Sequence, residues 1–219
     1  MTGDTDDSDA NRDAPALARR TPGTTAAGRR SRERVLQASL ELITEVGIDR
    51  VRLAEIARRA DMSSGQVMYY FTSKGHILLE TLAWRERAET AQRRQELPGA
   101  SAGWPRLKRF VELYLPSGLT DPVWILWMEA WARAPHSHEV SGFLDGLMSP
   151  WRDDLAEIVA QGVATGAFSA TSTGRFPVRF CAVLDGLSVL MLRQMPELSS
   201  AELTDLALES ARAELQRPG

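Results

Sequence analysis

The segment Leu53–Tyr70 constrains the fold more than any other part of the chain, because its residue types suit two short helices that pack at a steep angle. Such a pair needs a small residue at the closest approach, here Ala57, and a turn that tolerates a left-handed backbone, here at Asp61. Ser63 is a good N-cap for the second helix, and Gln66 three residues later would complete a capping box. The spacing predicts a helix-turn-helix, with an ordinary helical hairpin as the alternative. The apolar contacts between the two helices are expected from Ile56, Ala60, Met62, Val67 and Tyr70.

The rest of the chain has helical periodicity, and no segment alternates apolar and polar residues between turn signals as a strand does. An apolar stripe from Val35 to Val46 precedes a candidate C-cap, Gly47, and Ser73 is placed to cap a long helix from Lys74 to about residue 96. The chain is therefore predicted to be all-α, with about nine helices. The five helices after the fourth are expected at about 103–115, 121–134, 139–165, 174–194 and 200–216, the last with a capping box formed by Ser199 and Glu202.

Composition places the chain among intracellular proteins that do not span a membrane. The single cysteine, Cys181, excludes an intrachain disulfide framework and a cysteine-based zinc site, and it suits a reducing cytosol. The first 28 residues lack the apolar stretch of a secretory signal. The longest apolar stretches, Pro122–Trp131 and Phe180–Leu192, are too short to cross a bilayer. We therefore expect a cytoplasmic protein.

Charge is distributed unevenly along the chain. Residues 1–30 are rich in small polar residues and aspartate, and they are expected to form a disordered tail whose arginines either stay solvated or reach DNA. Residues 29–94 carry thirteen basic and nine acidic side chains, whereas residues 95–219 carry ten basic and fifteen acidic ones. A basic N-terminal third on an acidic body suggests that one surface meets a polyanion.

Residues 31–82 resemble the DNA-binding domain of the tetracycline-repressor (TetR) family of bacterial transcription regulators. The resemblance is carried by the first helix ending at Gly47 and by the run EIARRADMSSGQVMYYFTSKGHILLETL. A looser likeness to the helical regulatory domains of the family lies in MEAWARAP, GVATGAF and DGL. The resemblance implies a disordered tail (residues 1–30), a three-helix helix-turn-helix DNA-binding domain (31–76) and a helical ligand-binding and dimerisation domain (77–219).

In function, the resemblance implies a repressor that binds a palindromic double-stranded DNA operator as a homodimer. A small effector of unknown identity would release the repressor from DNA. This effector is expected to be lipophilic or aromatic, and a cationic effector is one form of this hypothesis. Two alternatives keep the same fold, namely a DNA-binding regulator without an effector and an activator. No G-x-G-x-x-G, P-loop or nucleophile elbow is present, so no catalytic residue, enzyme activity or cofactor is expected.

The N-terminal residues of a recognition helix meet base edges in the major groove, and Gln66 is suited to a bidentate contact with adenine, or else only to capping. Gly65 would allow close backbone approach. Three departures from the family pattern are notable: Arg52 replaces a capping residue, Asp61 replaces the turn glycine, and Met68 replaces a tyrosine that contacts phosphate. The expected DNA-binding residues are Arg52, Ser63, Ser64, Gly65, Gln66, Tyr69, Tyr70 and Lys74.

The regulatory part contains two further predicted surfaces. The helix at about 174–194 is apolar nearly all round, so one face is expected to meet a second subunit, with a doubly buried monomeric helix as the alternative. The predicted dimer interface comprises Leu147, Trp151, Leu155, Ile158, Val178, Cys181, Leu184 and Val189. The predicted ligand pocket comprises Trp104, Trp124, Trp127, Met128, Trp131, Glu129 and Asp185, although these tryptophans also suit a plain core.

Carboxylates within apolar helices need partners. A cationic effector between aromatic rings would supply one for Glu129 or Asp185, and an internal arginine such as Arg85 or Arg133 is the alternative. His136, His138 and Glu139 lie in a predicted loop where nothing else completes a metal site, so no bound metal is expected.

Overall fold

Every regular element in the described part of the chain is helical. A computed structural model describes residues 25–169, 174–193 and 198–216, and the all-α prediction is confirmed there. None of the helices in these ranges combines the length and apolar character needed to cross a membrane. The helices are α1 (Ala26–Val46), α2 (Leu53–Arg59), α3 (Ser64–Tyr70), α4 (Lys74–Glu96), α5 (Trp104–Tyr114), α6 (Pro122–Arg133), α7 (His138–Ala164), α8 (Phe176–Leu192) and α9 (Ser200–Leu215).

The first compact unit comprises the described residues up to Trp84 together with Leu126–Ser141. In it, α1 packs against α2, and α2 packs against α3. The predicted apolar stripes supply much of its core, although Val46, the last residue of the first stripe, is 39% exposed. The following side chains are almost completely buried: Val35, Leu42, Ile43, Ile56, Ala57, Val67, Phe71 and Ile77.

The first helix begins earlier than the sequence pattern predicted. Thr25 is its N-cap, and the Thr25 hydroxyl accepts a hydrogen bond of 3.1 Å from the Gly28 amide. Residues 26–30, which the sequence assigned to a disordered tail, are therefore helical. They have little apolar periodicity, and capping rather than amphipathicity marks the start of this helix. Arg19 and Arg20 lie outside the described residues.

The second compact unit comprises Arg85–Ile125 and the described residues from Gly142 onward. Its last helix packs against α5 and α8 and begins with the predicted capping box: the Ser199 amide donates to the Glu202 carboxylate over 2.7 Å. The division between the two units passes through α4 and α6. Gly162 faces Phe168 so closely that a Cβ there would lie 2.0 Å from the ring, so a side chain does not fit.

Most of the predicted dimer interface lies in the core of a single chain. Trp151, Leu155, Ile158, Cys181 and Leu184 are each at most 4% exposed, so these side chains are already packed without a partner. Apolar character alone does not separate a core position from an interface position. Val178 is 61% exposed, and Leu147 and Val189 are partly exposed, so only these three remain available to a second subunit.

Candidate functional site

The turn between α2 and α3 has the geometry that the sequence predicted. Asp61 has a φ of 54°, in the left-handed region, and this lets the chain reverse between the two helices. Arg52 stands at the N-cap of α2 without capping it, and the Glu55 carboxylate instead accepts a hydrogen bond of 3.1 Å from the Arg52 amide. The exposed Arg52 guanidinium is therefore not used to cap the helix.

In the absence of DNA, Gln66 has a structural role, because it caps α3 together with Ser63. The backbone N–H of Gln66 donates to the Ser63 hydroxyl over 3.2 Å, and the backbone N–H of Ser63 donates to the side-chain oxygen Oε1 of Gln66 over 2.8 Å. This is the reciprocal capping box that the sequence predicted. An amide oxygen has two lone pairs and the Nε2 group two donors, so the cap uses only part of the hydrogen-bonding capacity of this side chain.

The outward surface of α3 consists of exposed residues, whereas Val67 is completely buried. Tyr69 is 66% exposed, and Tyr70 is partly buried with its ring edge-on to that of Tyr69 at 5.1 Å. Gly65 has no left-handed backbone, and a Cβ added there would meet only Ser63 Oγ, at 3.9 Å. Among the described residues, neither backbone conformation nor a neighbouring atom therefore requires a glycine at this exposed position. Exposed with Gly65 and Tyr69 are Ser63, Ser64, Gln66 and Met68.

Arg32 holds the C-terminal end of α3, a role that sequence reasoning missed. Its guanidinium donates to the Tyr70 carbonyl over 3.4 Å and to the Glu80 carboxylate over 2.8 Å, and it lies 4.8 Å from the Phe71 ring centroid. One arginine thereby joins α1, α3 and α4. No local pattern signals this contact, because Arg32 and Tyr70 are 38 positions apart.

Lys74 begins α4, and its ammonium group donates to the Ile48 carbonyl over 3.2 Å. Ser73 caps this helix as predicted, since its hydroxyl accepts a hydrogen bond of 3.1 Å from the His76 amide. An ammonium group has three donors, so Lys74 anchors the segment after α1 and still retains donors for another partner.

The second unit contains a cluster of aromatic rings from three helices. Tyr114 is central: its ring centroid lies 4.8 Å from that of Trp151 and 5.9 Å from that of Trp124. Phe110 packs edge-on to Trp151 at 5.7 Å. The Trp124 indole donates to the Tyr114 carbonyl over 3.3 Å, which fixes the orientation of that ring. We call these four residues the aromatic cluster.

Carboxyl groups border the aromatic cluster. Glu86, only 4% exposed, accepts a hydrogen bond of 2.9 Å from the Trp151 indole, and Asp185 accepts one of 2.6 Å from the Tyr114 hydroxyl. Burial raises the pKa of Asp185, and the hydrogen bond from Tyr114 opposes this shift. Burial also raises the pKa of the Cys181 thiol to about 12, so this cysteine is not a reactive thiolate.

Glu89 has the most perturbed carboxyl pKa of this region. Burial and the neighbouring charges of Glu86 and Asp121 raise its pKa to about 8, and the guanidinium groups of Arg85 and Arg93 oppose the shift. At neutral pH this carboxyl group is therefore mostly protonated. Arg85 Nη2 lies 3.5 Å from Glu89 Oε1, so one guanidinium group already faces this carboxyl group. A carboxyl pKa raised by burial and like charges marks a candidate functional site.

Arg93 places an internal cation on the aromatic cluster. It is 1% exposed, and its guanidinium carbon lies 3.5 Å from the Trp151 ring centroid. Its Nε donates to Asp154 over 2.8 Å, and Nη2 donates to the Thr90 hydroxyl over 3.3 Å. The face of Trp151 thus already binds a positive charge.

The predicted pocket residues are divided between the two compact units. Trp104 packs edge-on to Phe168 at 5.0 Å and lies beneath Arg212, whereas Trp124 and Asp185 belong to the aromatic cluster and its border. In the first unit, the rings of Trp127 and Trp131 pack together at 5.5 Å, Met128 is 39% exposed, and Glu129 pairs with Arg133 over 2.6 Å. The internal-arginine alternative is thus the observed one for Glu129. Sequence reasoning missed Tyr114, Glu86, Glu89 and Arg93.

A helix-turn-helix with an exposed second helix, on a chain with a separate helical unit, defines a helix-turn-helix transcriptional regulator. Residues 35–81 match the family described as bacterial regulatory proteins, tetR family, and residues 105–216 match the family described as BetI-type transcriptional repressor, C-terminal. The chain belongs to the TetR family of bacterial transcriptional regulators, as its sequence resemblance implied.

Relatives and solved structures agree with this assignment. An uncharacterised HTH-type regulator in the dhlA 5' region of Xanthobacter autotrophicus is 30% identical over 82% of this chain and 90% of its own length. The regulator BetI of Yersinia pestis is 28% identical over 50% of this chain, and the match spans 57% of BetI. A transcriptional regulator from Saccharomonospora viridis, solved in complex with choline, has a TM-score of 0.76 and 25% identity, covering 85% of this chain and 98% of that one.

Proposed function

We propose that this chain is a repressor that binds a palindromic operator as a homodimer, with α3 in the major groove. The observation that carries the proposal is the exposed surface of α3, where a side chain would fit at Gly65 without a clash and where Gln66 and Tyr69 are exposed. An exposed glycine whose position has room for a side chain allows another molecule to approach the helix backbone closely. The proposed phosphate contacts, which fix register without reading sequence, are Arg52, Tyr69, Tyr70 and Lys74.

The homodimer follows from the small site that one recognition helix reads, since two half-sites about 34–36 Å apart need two subunits. The last two helices expose apolar side chains that suit such an interface, with Val178 at 61% and Leu206 at 41% exposure. Val189 adds a partly exposed apolar side chain to α8. Sedimentation analysis of the wild type and of a Val178→Asp variant tests this surface, and a monomeric wild type would contradict it.

We further propose that the effector is a small organic cation held at the aromatic cluster. Aromatic faces attract quaternary ammonium groups, the cluster is bordered by Glu86 and Asp185, and the charge of Glu86 in turn acts on Glu89. The choline complex of the Saccharomonospora viridis regulator supports this ligand class. The effector would lower operator affinity by its preference for one of two conformations, typically about 1–3 kcal/mol of coupling.

A regulator of the same fold without an effector is the second candidate, and Arg93 favours it. The guanidinium of Arg93 already occupies the face of Trp151, so an internal cation stands where a ligand cation would bind. Thermal unfolding with and without choline separates the two, because a ligand that binds the folded state raises the midpoint temperature. Whether the chain represses or activates depends on the position of its operator.

The direct test of the main proposal is selection of DNA fragments by the full-length protein at several salt concentrations, followed by competition with choline. A two-fold symmetric consensus that outcompetes scrambled DNA, and that is released by choline, is the expected result. Absence of any preferred symmetric sequence would overturn the DNA-binding proposal. Specific binding that is insensitive to choline would overturn only the proposed effector.

Replacement of Gln66 by alanine is expected to relax base preference at one position of each half-site by about tenfold. The reason is the loss of the amide group that can pair with a base edge. Selection of bound sequences measures the change. Ser63→Ala is the matched control, because it removes the Ser63 hydroxyl from the same capping box and leaves the side-chain amide group of Gln66 in place. If both variants weaken binding and leave the base preference intact, Gln66 serves only as a cap.

Replacement of Lys74 by glutamine is expected to weaken binding to all sequences alike and to reduce the slope of log affinity against log salt by about one. Glutamine keeps a donor for the Ile48 carbonyl but removes the charge. Lys74→Ala removes both, so comparison of the two variants separates the loop anchor from the phosphate contact. An unchanged salt slope in both variants would assign Lys74 to the loop alone.

A further inference from the structure

Met68 is a large apolar side chain exposed on α3, and none of the contacts considered above accounts for it. Its side chain is 41% exposed, while its neighbour Val67 is completely buried. A single exposed methionine is unremarkable on most surfaces. Here it lies on the seven-residue helix whose other exposed residues are glycine, serine, glutamine and tyrosine.

Helical geometry places Met68 beside the position of closest approach. Each residue turns the helix by about 100°, so with Val67 inward, Gly65 and Tyr69 point almost directly outward. Met68 then lies on one flank of that outward line and Gln66 on the other. Because Gly65 has no side chain, the first turn of the helix can approach a groove floor closely enough for the side chains on its flanks to reach the base edges.

We infer that Met68 contacts the 5-methyl group of a thymine in each operator half-site, an inference that rests on the proposed DNA-binding function. The thymine methyl is the apolar group displayed at base edges in the major groove. A thioether is a poor hydrogen-bond partner for phosphate, but it is flexible and suited to apolar contact. Gln66 and Met68 therefore contact different base edges, one through hydrogen bonds and the other through apolar contact.

Substitution of deoxyuridine for thymidine tests the inference, because it deletes only the methyl group. Each thymine of the selected operator is replaced in turn, and affinities are measured for the wild type, Met68→Ala and Met68→Leu. At one thymine per half-site, loss of the methyl is expected to weaken wild-type binding by about fourfold. The same substitution should have no effect on Met68→Ala, and Met68→Leu should restore most of the methyl dependence.

The outcomes separate a failure of the Met68–thymine contact from a failure of the proposed DNA-binding function. If no symmetric operator is selected, the DNA-binding proposal fails and the inference fails with it. If an operator is selected but each deoxyuridine substitution affects the wild type and Met68→Ala equally, the inference alone is overturned. A methyl dependence that survives in Met68→Ala and disappears in Tyr69→Ala would assign the contact to Tyr69 and also overturn it. Circular dichroism confirms that each variant is folded.

Discussion

Replacing Gly65 by alanine is expected to stabilise the free protein and to weaken its binding to the operator. Alanine in place of an exposed helical glycine typically gains up to about 1 kcal/mol. The new Cβ would meet only Ser63 Oγ, at the ordinary contact distance of 3.9 Å. On DNA, the same methyl group would stand at the closest approach to the bases, and such overpacking costs about 1–3 kcal/mol per half-site. Over two half-sites the operator affinity of the dimer should therefore fall by at least about thirtyfold.

Gly142 provides the matched control for this substitution. It is an exposed helical glycine in α7, and a Cβ there would have no neighbour within 4 Å. Gly142→Ala should raise the midpoint of thermal unfolding as Gly65→Ala does, while leaving operator affinity unchanged. Full operator affinity in Gly65→Ala, measured beside this control, would show that α3 does not approach DNA as proposed.

Local signals in the sequence predicted the helix-turn-helix well. The left-handed turn at Asp61, the Ser63–Gln66 capping box and the Ser73 cap each depend on residues no more than three positions apart, and each is present. The beginning of α1 was misplaced because Thr25, rather than an apolar stripe, marks it. Capping and turn geometry are therefore predictable from sequence where the residue types at neighbouring positions are restrictive.

The aromatic cluster and its carboxyl border were predicted less well because their contacts join distant parts of the chain. Trp124, Trp127 and Trp131 share one face of a helix by spacing, but that helix contributes to two compact units. The contact of Trp151 with Glu86 spans 65 positions, and that of Tyr114 with Asp185 spans 71. Periodicity identifies the buried face of a helix, and it does not identify which other helix covers that face.

The affinity for a quaternary ammonium ion is expected to rise with pH and to depend on Glu89. The pKa of this carboxyl group is about 8, raised first by burial and then by Glu86 and Asp121 against the opposing effect of Arg85 and Arg93. A bound cation favours the ionised form, so binding at neutral pH must release a proton. Choline affinity should increase by up to about tenfold per pH unit below pH 8 and level off above it.

Glu89→Gln should remove this pH dependence and lower choline affinity at high pH by about thirtyfold, since it removes a charge partner from a partly buried site. Calorimetry in buffers of different ionisation enthalpy measures the released proton directly. The neutral carbon analogue of choline, with a tert-butyl group in place of trimethylammonium, is the matched ligand control and should bind without proton release. Choline affinity that is equal at low and high pH would contradict the assignment of Glu89.

The same group gives a test that needs no ligand. Because the folded pKa of about 8 lies above the ordinary value of 4.5, the folded chain holds a proton that the unfolded chain releases. The contribution of Glu89 to stability is therefore fully present below about pH 4.5 and is lost progressively as the pH rises to about 8. Glu89→Gln should remove the decrease in folding stability that Glu89 causes as the pH rises. The variant should therefore be more stable than the wild type at high pH. Glu157→Gln, an exposed carboxyl on α7, is the control variant and should follow the wild type. An identical pH profile of stability in Glu89→Gln and the wild type would mean that Glu89 is ionised in the free protein, and the proton-coupled binding of a cation would then have no source.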